Sequence, residues 1–352
     1  MRGVYIHLPF CQTKCDYCDF YSITNWNGTL LREYRECVRD EIRLASNKYG
    51  KFDISTVYLG GGTPSVFPAE HIDAMLETLR ETFNLAAEAE ITIEANPGTV
   101  DYDRLLAYRK SGINRISIGI QAAQDGLLAS IGRRHRFADA VNAVETAKKA
   151  GFNNISLDMM LALPNQSIED ALETAQRLCE LEPTHISAYE LTLAEDTPFA
   201  KRFASAPCPE DYSIKMMEEV YARLASHGFR RYEISNWCKP GFESKHNIGY
   251  WTRRDYLGIG AGAHSLMRGE RFRNADNVGA WMESISRGKL YHSDTETIDE
   301  REAAFERLML GLRMTGGVVC SDETDKYFAE QIRSIIEDGL AERAQGKLRL
   351  TE

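Results

Sequence analysis

Val4-Tyr5-Ile6-His7-Leu8-Pro9-Phe10-Cys11-Gln12-Thr13-Lys14-Cys15-Asp16-Tyr17-Cys18 joins a short apolar run, Val4 to Leu8, to three cysteines carried on one loop. Iron-sulfur clusters are held by cysteine thiolates, ordinarily four. Three on one short loop therefore imply a missing fourth partner or an iron left open to another ligand. A structural zinc site would need a second Cys/His couple some distance away, and the sequence has none. A disulfide framework belongs to secreted chains, yet the sequence shows no signal peptide. Cys37, Cys179, Cys208, Cys238 and Cys320 are scattered singly and read as reduced thiols of a cytoplasmic protein.

Outward from this stretch, short β-rich runs alternate with longer segments of helical period. Strands are expected at Val4-Leu8, Thr56-Leu59, Ile91-Glu94, Arg115-Ile120, Ile155-Met159 and Ile186-Leu191. Helices are expected at Leu30-Ala45, Glu70-Thr82, Asp101-Ser111, Ala138-Ala150 and Ser167-Leu181. In the first of these, Leu31, Tyr34, Val38, Ile42 and Ala45 recur at spacings of three and four. Gly112 and Gly151 stop two of them, as residues free to adopt left-handed geometry. Six strand-helix units argue a parallel sheet whose right-handed crossovers curl it into a partial (β/α)6 barrel, open on one side.

After about residue 195 the rhythm changes. Pro207 and Pro209 break the chain, an amphipathic helix is expected at Asp211-His227, and a glycine- and aromatic-rich stretch runs from Trp237 to Leu266. Helical period resumes near Glu296 and at Phe328-Glu337, before a β-like tail at Leu348-Leu350. The expected organisation is an α/β barrel over residues 1–205, a barrel-capping extension over 206–295, and a smaller α+β domain with a winged-helix-like end over 296–352.

With 352 residues, 43% of them hydrophobic, the chain can bury a full core. Its formal net charge of -10 opposes phosphate backbones, so nucleic acid is not an expected partner. Arg133, Arg134, His135 and Arg136 still form a local patch suited to one anion. No apolar run is long enough to span a bilayer, so no transmembrane segment is expected.

Unusual residues gather at the carboxyl ends of the expected strands. The cysteines follow the first and Gly60-Gly61-Gly62-Thr63-Pro64 the second. Glu94-Ala95-Asn96-Pro97 closes the third, and Gln121 ends the fourth. Asp158 lies within the fifth, and Tyr189 and Glu190 lie in the sixth. In parallel barrels these ends form the reactive face, so all are expected around one cavity. Carboxylates inside apolar strands are costly unless paired, which favours a functional role for Glu94 and Asp158. The glycine run is equally a tight turn or a place where backbone approaches a ligand.

The motif Cys11-xxx-Cys15-x-Tyr17-Cys18 resembles the signature of radical S-adenosylmethionine (SAM) enzymes, and the resemblance extends over nearly the whole chain. Tyr5 to Cys11, Gly61-Gly62-Thr63-Pro64, Ser117-Ile118-Gly119-Ile120-Gln121 and Asp158 to Pro164 resemble the oxygen-independent coproporphyrinogen III oxidase group. The resemblance implies that Cys11, Cys15 and Cys18 hold three irons of a 4Fe-4S cluster, with SAM chelating the fourth. It places Tyr5 and Tyr17 beside the cofactor and Gly61, Gly62 and Thr63 at its amino group. Glu94, Gln121, Arg133 and Asp158 would bind the remainder. Radical formation would then be chemistry of the cofactor, with the protein orienting it and excluding oxygen and water.

Within that group two features depart from the oxidases. Phe20 stands where they carry a further cysteine, and the N-terminal extension they use for substrate is not expected here. Both features resemble a heme-chaperone branch, as does His246-Asn247-Ile248-Gly249-Tyr250-Trp251, which fits that branch's His-Asn-x-x-Tyr-Trp motif. The resemblance implies transient heme binding, His246 as candidate ligand, and respiratory hemoproteins as acceptors. Homodimerisation stays open. Coproporphyrinogen III oxidation and radical-SAM methyl transfer are the alternatives. From the residues alone, His246 reads as a packing or hydrogen-bonding histidine with core aromatics beside it; the resemblance makes an iron ligand with Tyr250 and Trp251 as aromatic cover an equal alternative.

Overall fold

The computed structural model describes residues 2–203 and 208–351. Its first half is a run of strand-helix units. The parallel strands are β1 (Arg2–Leu8), β2 (Asp53–Gly61), β3 (Asn84–Ala95), β4 (Arg115–Gln121), β5 (Ile155–Leu161) and β6 (His185–Glu190). Between them lie α1 (Gly28–Tyr49), α2 (Ala69–Thr82), α3 (Tyr102–Lys110), the consecutive pair α4 (Asp125–Ser130) and α5 (Phe137–Lys149), and α6 (Ile168–Glu180).

The local chemistry accounts for these bounds. Asn27 caps α1 by accepting from the Leu30 amide at 2.9 Å. Gly50 ends the same helix at φ 73°, sending its N–H to Ser46 O at 2.8 Å. Gly112 and Gly151, at φ 92° and 91°, follow the ends of α3 and α5 as the sequence predicts. Every residue of β4 is buried, as expected of a central parallel strand covered on both faces.

The remainder comprises α7 (Pro198–Arg202), α8 (Glu210–Ser226), β7 (Arg230–Glu233), β8 (Asn236–Cys238), α9 (Lys245–Trp251), β9 (Tyr256–Ile259), β10 (His264–Met267), β11 (Glu270–Arg273), α10 (Val278–Ser286) and β12 (Ser293–Thr297), then α11 (Glu300–Gly311), β13 (Val318–Val319), α12 (Asp322–Glu337), β14 (Ala341–Ala344) and β15 (Lys347–Leu350). Pro207 and the expected division at 205/206 lie outside the described residues.

The six parallel strands do not stand alone. Among the described residues they are the centre of one twelve-stranded sheet, ordered β12-β11-β10-β9-β1-β2-β3-β4-β5-β6-β8-β7. β9 joins β1 in parallel, pairing Gly3 with Tyr256 and Ile6 with Ile259. β8 joins β6 antiparallel through Ile186 and Trp237. The glycine- and aromatic-rich stretch thus becomes sheet on both flanks. Gly258-Gly262 packs backbone rather than binding phosphate: a Cβ at Gly260 would stand 2.5 Å from His7 O, and one at Gly262 would stand 3.1 Å from the Tyr21 ring.

One apolar core runs through barrel and flank together, from Val4, Ile118 and Leu157 to Met216, Trp237 and Trp281. Trp281 of α10 is wholly buried against Tyr34 of α1, ring centroids 4.7 Å apart. A separate small core of Leu308, Ile332, Ala341 and Leu348 unites α11, α12 and the three-stranded sheet β13-β15-β14. The expected division at 295/296 falls inside β12, which pairs with β11, so the chain leaves the large sheet only after Thr297. Ion pairs from Glu306 to Arg253 (2.6 Å) and to Arg271 dock α11 onto the sheet.

Candidate cofactor site

Leu8 ends β1, and the chain turns into a loop that is stitched at its base. Cys11 N donates to Ile23 O at 3.0 Å, Ile23 N donates to Pro9 O at 2.7 Å, and Trp26 Nε1 donates to Cys11 O at 2.8 Å. Cys11 is buried, Cys15 and Cys18 are half-buried, and all three are free. Burial raises the pKa of Cys15 and pushes the Cys18 thiol up to about 11. A bound cation would favour the thiolate form of Cys15 and Cys18, and iron would be such a cation. Among the described residues no three His, Cys, Asp or Glu side chains converge on a point as ligands of one metal ion would.

β2 delivers the glycine run beside that loop. Gly62 N donates to Leu8 O (3.0 Å) and Thr63 N to Phe10 O (2.9 Å). A Cβ on Gly62 would lie 2.8 Å from Phe10 N and 3.0 Å from Cys11 Sγ. Gly61 takes φ 116°, and its Cβ would strike the His7 ring at 2.7 Å. Bare backbone is thus a steric requirement here.

Two half-buried carboxylates lie in the barrel. Glu94 accepts from Tyr58 OH at 2.8 Å and from Gly61 N at 3.3 Å, and burial raises its carboxyl to a pKa of about 7. Asp158 accepts from Ser117 Oγ at 3.1 Å, and burial lifts it too. Tyr5 stacks on Tyr58 at 6.2 Å and shares a hydrogen bond with His7 Nδ1 at 2.9 Å. β4 ends on Gln121 in the left-handed region, φ 78°, a strain typical of a residue placed for a ligand.

Arg133 completes the mouth. Its Nη1 donates to Asn96 Oδ1 at 2.6 Å, while its buried Nε has no partner. It faces Tyr17 and Cys15, whose attraction raises its pKa although burial alone would lower it. Thr63, Asn96, Arg133, Thr13, Cys15 and His135 bound a cleft beside the cysteine loop. A guanidinium lining such a cleft, with its buried Nε unpaired, is suited to a carboxylate.

Residues 5–178 match the family model described as the radical SAM superfamily. The chain is 32% identical to the heme chaperone HemW of Bacillus subtilis, over 100% of this chain and 95% of that one. It is 35% identical to the heme chaperone HemW of Lactococcus lactis, over 100% and 93%. The chain belongs to the HemW family of radical SAM proteins. At 20% identity, coproporphyrinogen III oxidase (HemN) from Escherichia coli, described as a radical SAM enzyme, shares the fold, with a TM-score of 0.86 over 99% of this chain and 86% of that one.

Membership of the radical SAM superfamily implies a 4Fe-4S cluster and SAM, and the residues fit both. The free thiols of Cys11, Cys15 and Cys18, the bare cradle at Gly61 and Gly62, and the unpaired Arg133 Nε converge at one end of the barrel. Two further residues at this end of the barrel are Asn96, which bonds both Thr63 and Arg133, and Gly119, whose Cβ would stand 3.0 Å from Arg133 Nη2. Both lie in strand-end segments visible in the sequence, but only the folded geometry gives them partners.

His246 stands apart. It lies at the amino ends of β1 and β2, against Gly3 and Thr56, at the end of the barrel opposite the cysteine loop. It is 3% exposed, its Nδ1 bonds Thr56 Oγ1 (2.9 Å), and its Nε2 bonds Tyr250 OH (2.9 Å). Burial lowers its pKa to about 3. The Glu90 carboxylate accepts from the amides of Lys245 and His246, both at 3.1 Å, and Arg313, in the turn after α11, lies 4.2 Å from the Trp251 ring centre. In this structure the motif plugs the barrel and braces α11, the hydrogen-bonding role rather than that of a free ligand.

Proposed function

We propose that this protein binds heme and passes it to acceptor hemoproteins, respiratory ones among them, in the cytoplasm, from a frame that carries a SAM-coordinated 4Fe-4S cluster. The observation carrying this reading is the full-length relationship to proteins named heme chaperone HemW, 32% and 35% identical over nearly their whole length. Phe20, 64% exposed where the oxidases carry a further cysteine, supports it over porphyrinogen oxidation. No helix among the described residues is long and apolar enough to cross a membrane.

The test is anaerobic. Reconstituted protein titrated with heme should give a saturable Soret shift, while coproporphyrinogen III supplied with SAM and dithionite should stay unconverted. Appearance of protoporphyrinogen, or no saturable shift, would overturn the reading. Ligation by His246 would have to break its bonds to Thr56 and Tyr250. Under that reading Tyr250→Phe should tighten heme binding and His246→Ala should weaken it. Unchanged affinity in both variants would place the heme elsewhere.

A further inference from the structure

Three side chains at the mouth of the barrel are linked in a chain whose direction is chemically fixed. A guanidinium can only donate, so the 2.6 Å contact from Arg133 Nη1 makes the facing atom of Asn96 its carbonyl oxygen. The Asn96 amide nitrogen must then be the atom 3.0 Å from Thr63 Oγ1, and it donates there. The Thr63 hydroxyl, having accepted from Asn96, keeps its own proton for Cys11 Sγ, 3.5 Å away. A thiolate carries no proton, so with iron bound the hydroxyl is the only donor of that pair.

The surroundings hold the chain in place. Thr63 is 4% exposed. Thr99 Oγ1 donates to Asn96 O at 2.7 Å and Thr99 N to the same oxygen at 2.9 Å, fixing the Asn96 backbone. Gly119 leaves room for the Arg133–Asn96 pair: a Cβ there would stand 3.0 Å from Arg133 Nη2 and 3.4 Å from Asn96 Oδ1.

We propose that Arg133, Asn96 and Thr63 form a one-way hydrogen-bond relay that tunes the reduction potential of the cluster through Cys11 Sγ. It rests on the cluster assignment and goes beyond it, because it gives Thr63 and Asn96 positioning roles separate from holding iron or SAM. A hydrogen bond to a cluster sulfur offsets the charge gained on reduction and raises the potential. The relay also joins the cofactor cleft to the cluster, since any movement of Arg133 reaches the sulfur through three hydrogen bonds.

The experiment is an EPR-monitored redox titration of the full chain, anaerobically reconstituted, with iron content measured in the same samples. Thr63→Val removes the donor. Asn96→Asp keeps the volume and the Arg133 contact but turns an amide donor into an acceptor, which draws the Thr63 proton away from Cys11. Both should lower the midpoint. The expected effect is about tenfold in the ratio of reduced to oxidised cluster at fixed potential, equivalent to roughly 59 mV for one electron. Thr63→Ser should behave as wild type. Wild-type midpoints in both variants with full iron would overturn the relay, whereas wild type without a 4Fe-4S signal would overturn the cluster assignment. If both variants lose iron, the reduced wild-type cluster is examined after deuterium exchange. An exchangeable deuteron coupled to it, retained in Thr63→Ser, supports the relay, and its absence overturns it.

Discussion

Glu41 offers a quantitative check on the packing that holds the cysteine loop in place. It lies on α1, 1% exposed, and accepts from Gly260 N at 2.7 Å and from Asn274 Nδ2 at 2.6 Å. These contacts fasten α1 to the turn between β9 and β10, whose Gly260 lies against His7 O, and to Asn274 just after β11. Burial raises its carboxyl from 4.5 to about 7. The unfolded chain releases this proton near pH 4.5 while the folded chain keeps it to about pH 7, so between those values the folded state binds more protons. Stability from this group is therefore fully present below pH 4.5 and falls as pH rises to 7, then levels off. A displacement of about 2.5 units at 1.36 kcal/mol each gives roughly 3 kcal/mol.

Glu41→Gln abolishes this dependence. The new amide sets a donor against Asn274, costing about 1 kcal/mol at any pH, because Asn274 Nδ2 also serves Gly260 O at 2.8 Å. Urea unfolding of wild type and variant at pH 5 and pH 7.5 should show the advantage of wild type shrinking by 2–3 kcal/mol at the higher pH. An equal difference at both values would refute the reasoning.

Replacing Cys11, Cys15 or Cys18 by Ser should abolish the reconstituted 4Fe-4S absorbance, while the same change at Cys37, Cys179 or Cys320 should leave it intact; unaltered iron in Cys15→Ser would refute the ligand set. Gly62→Ala should reduce iron uptake several-fold, because its Cβ meets backbone at 2.8 Å, and stoichiometric iron in the purified variant would count against the cradle. Glu306→Ala leaves Arg253, 11% exposed, without its partner and should loosen α11 by about 2–3 kcal/mol. Limited proteolysis after residue 297 should then accelerate more than tenfold, and an unchanged rate would show that the small core alone holds the unit.

The six central strands and five main helices were legible in sequence because each carries its own period and its own stops. Leu31, Tyr34, Val38, Ile42 and Ala45 declare a helix face, and all five are buried. The cysteine loop was equally legible, because ligand spacing along one loop is a local property. The flanking strands were not: β9 spans only Tyr256–Ile259, and its residues read as strand only once β1 offers them partners. The division at 295/296 misplaced β12 for the same reason.

His246 separates what the chain alone determines from what folding decides. The sequence supplies an imidazole with neighbouring aromatics, a pattern compatible with an iron ligand or a buried hydrogen-bonding group. Which of these it is depends on whether the ring nitrogens find partners, and Thr56, 190 positions away, provides one of them. Likewise Thr63, Asn96 and Arg133 belong to three separate segments, and nothing in their spacing makes them a chain. Periodicity, capping and ligand spacing act within a few residues and can be read in one dimension. Hydrogen-bond partnership between strands and loops is set by the sheet's register, so only the tertiary structure decides it.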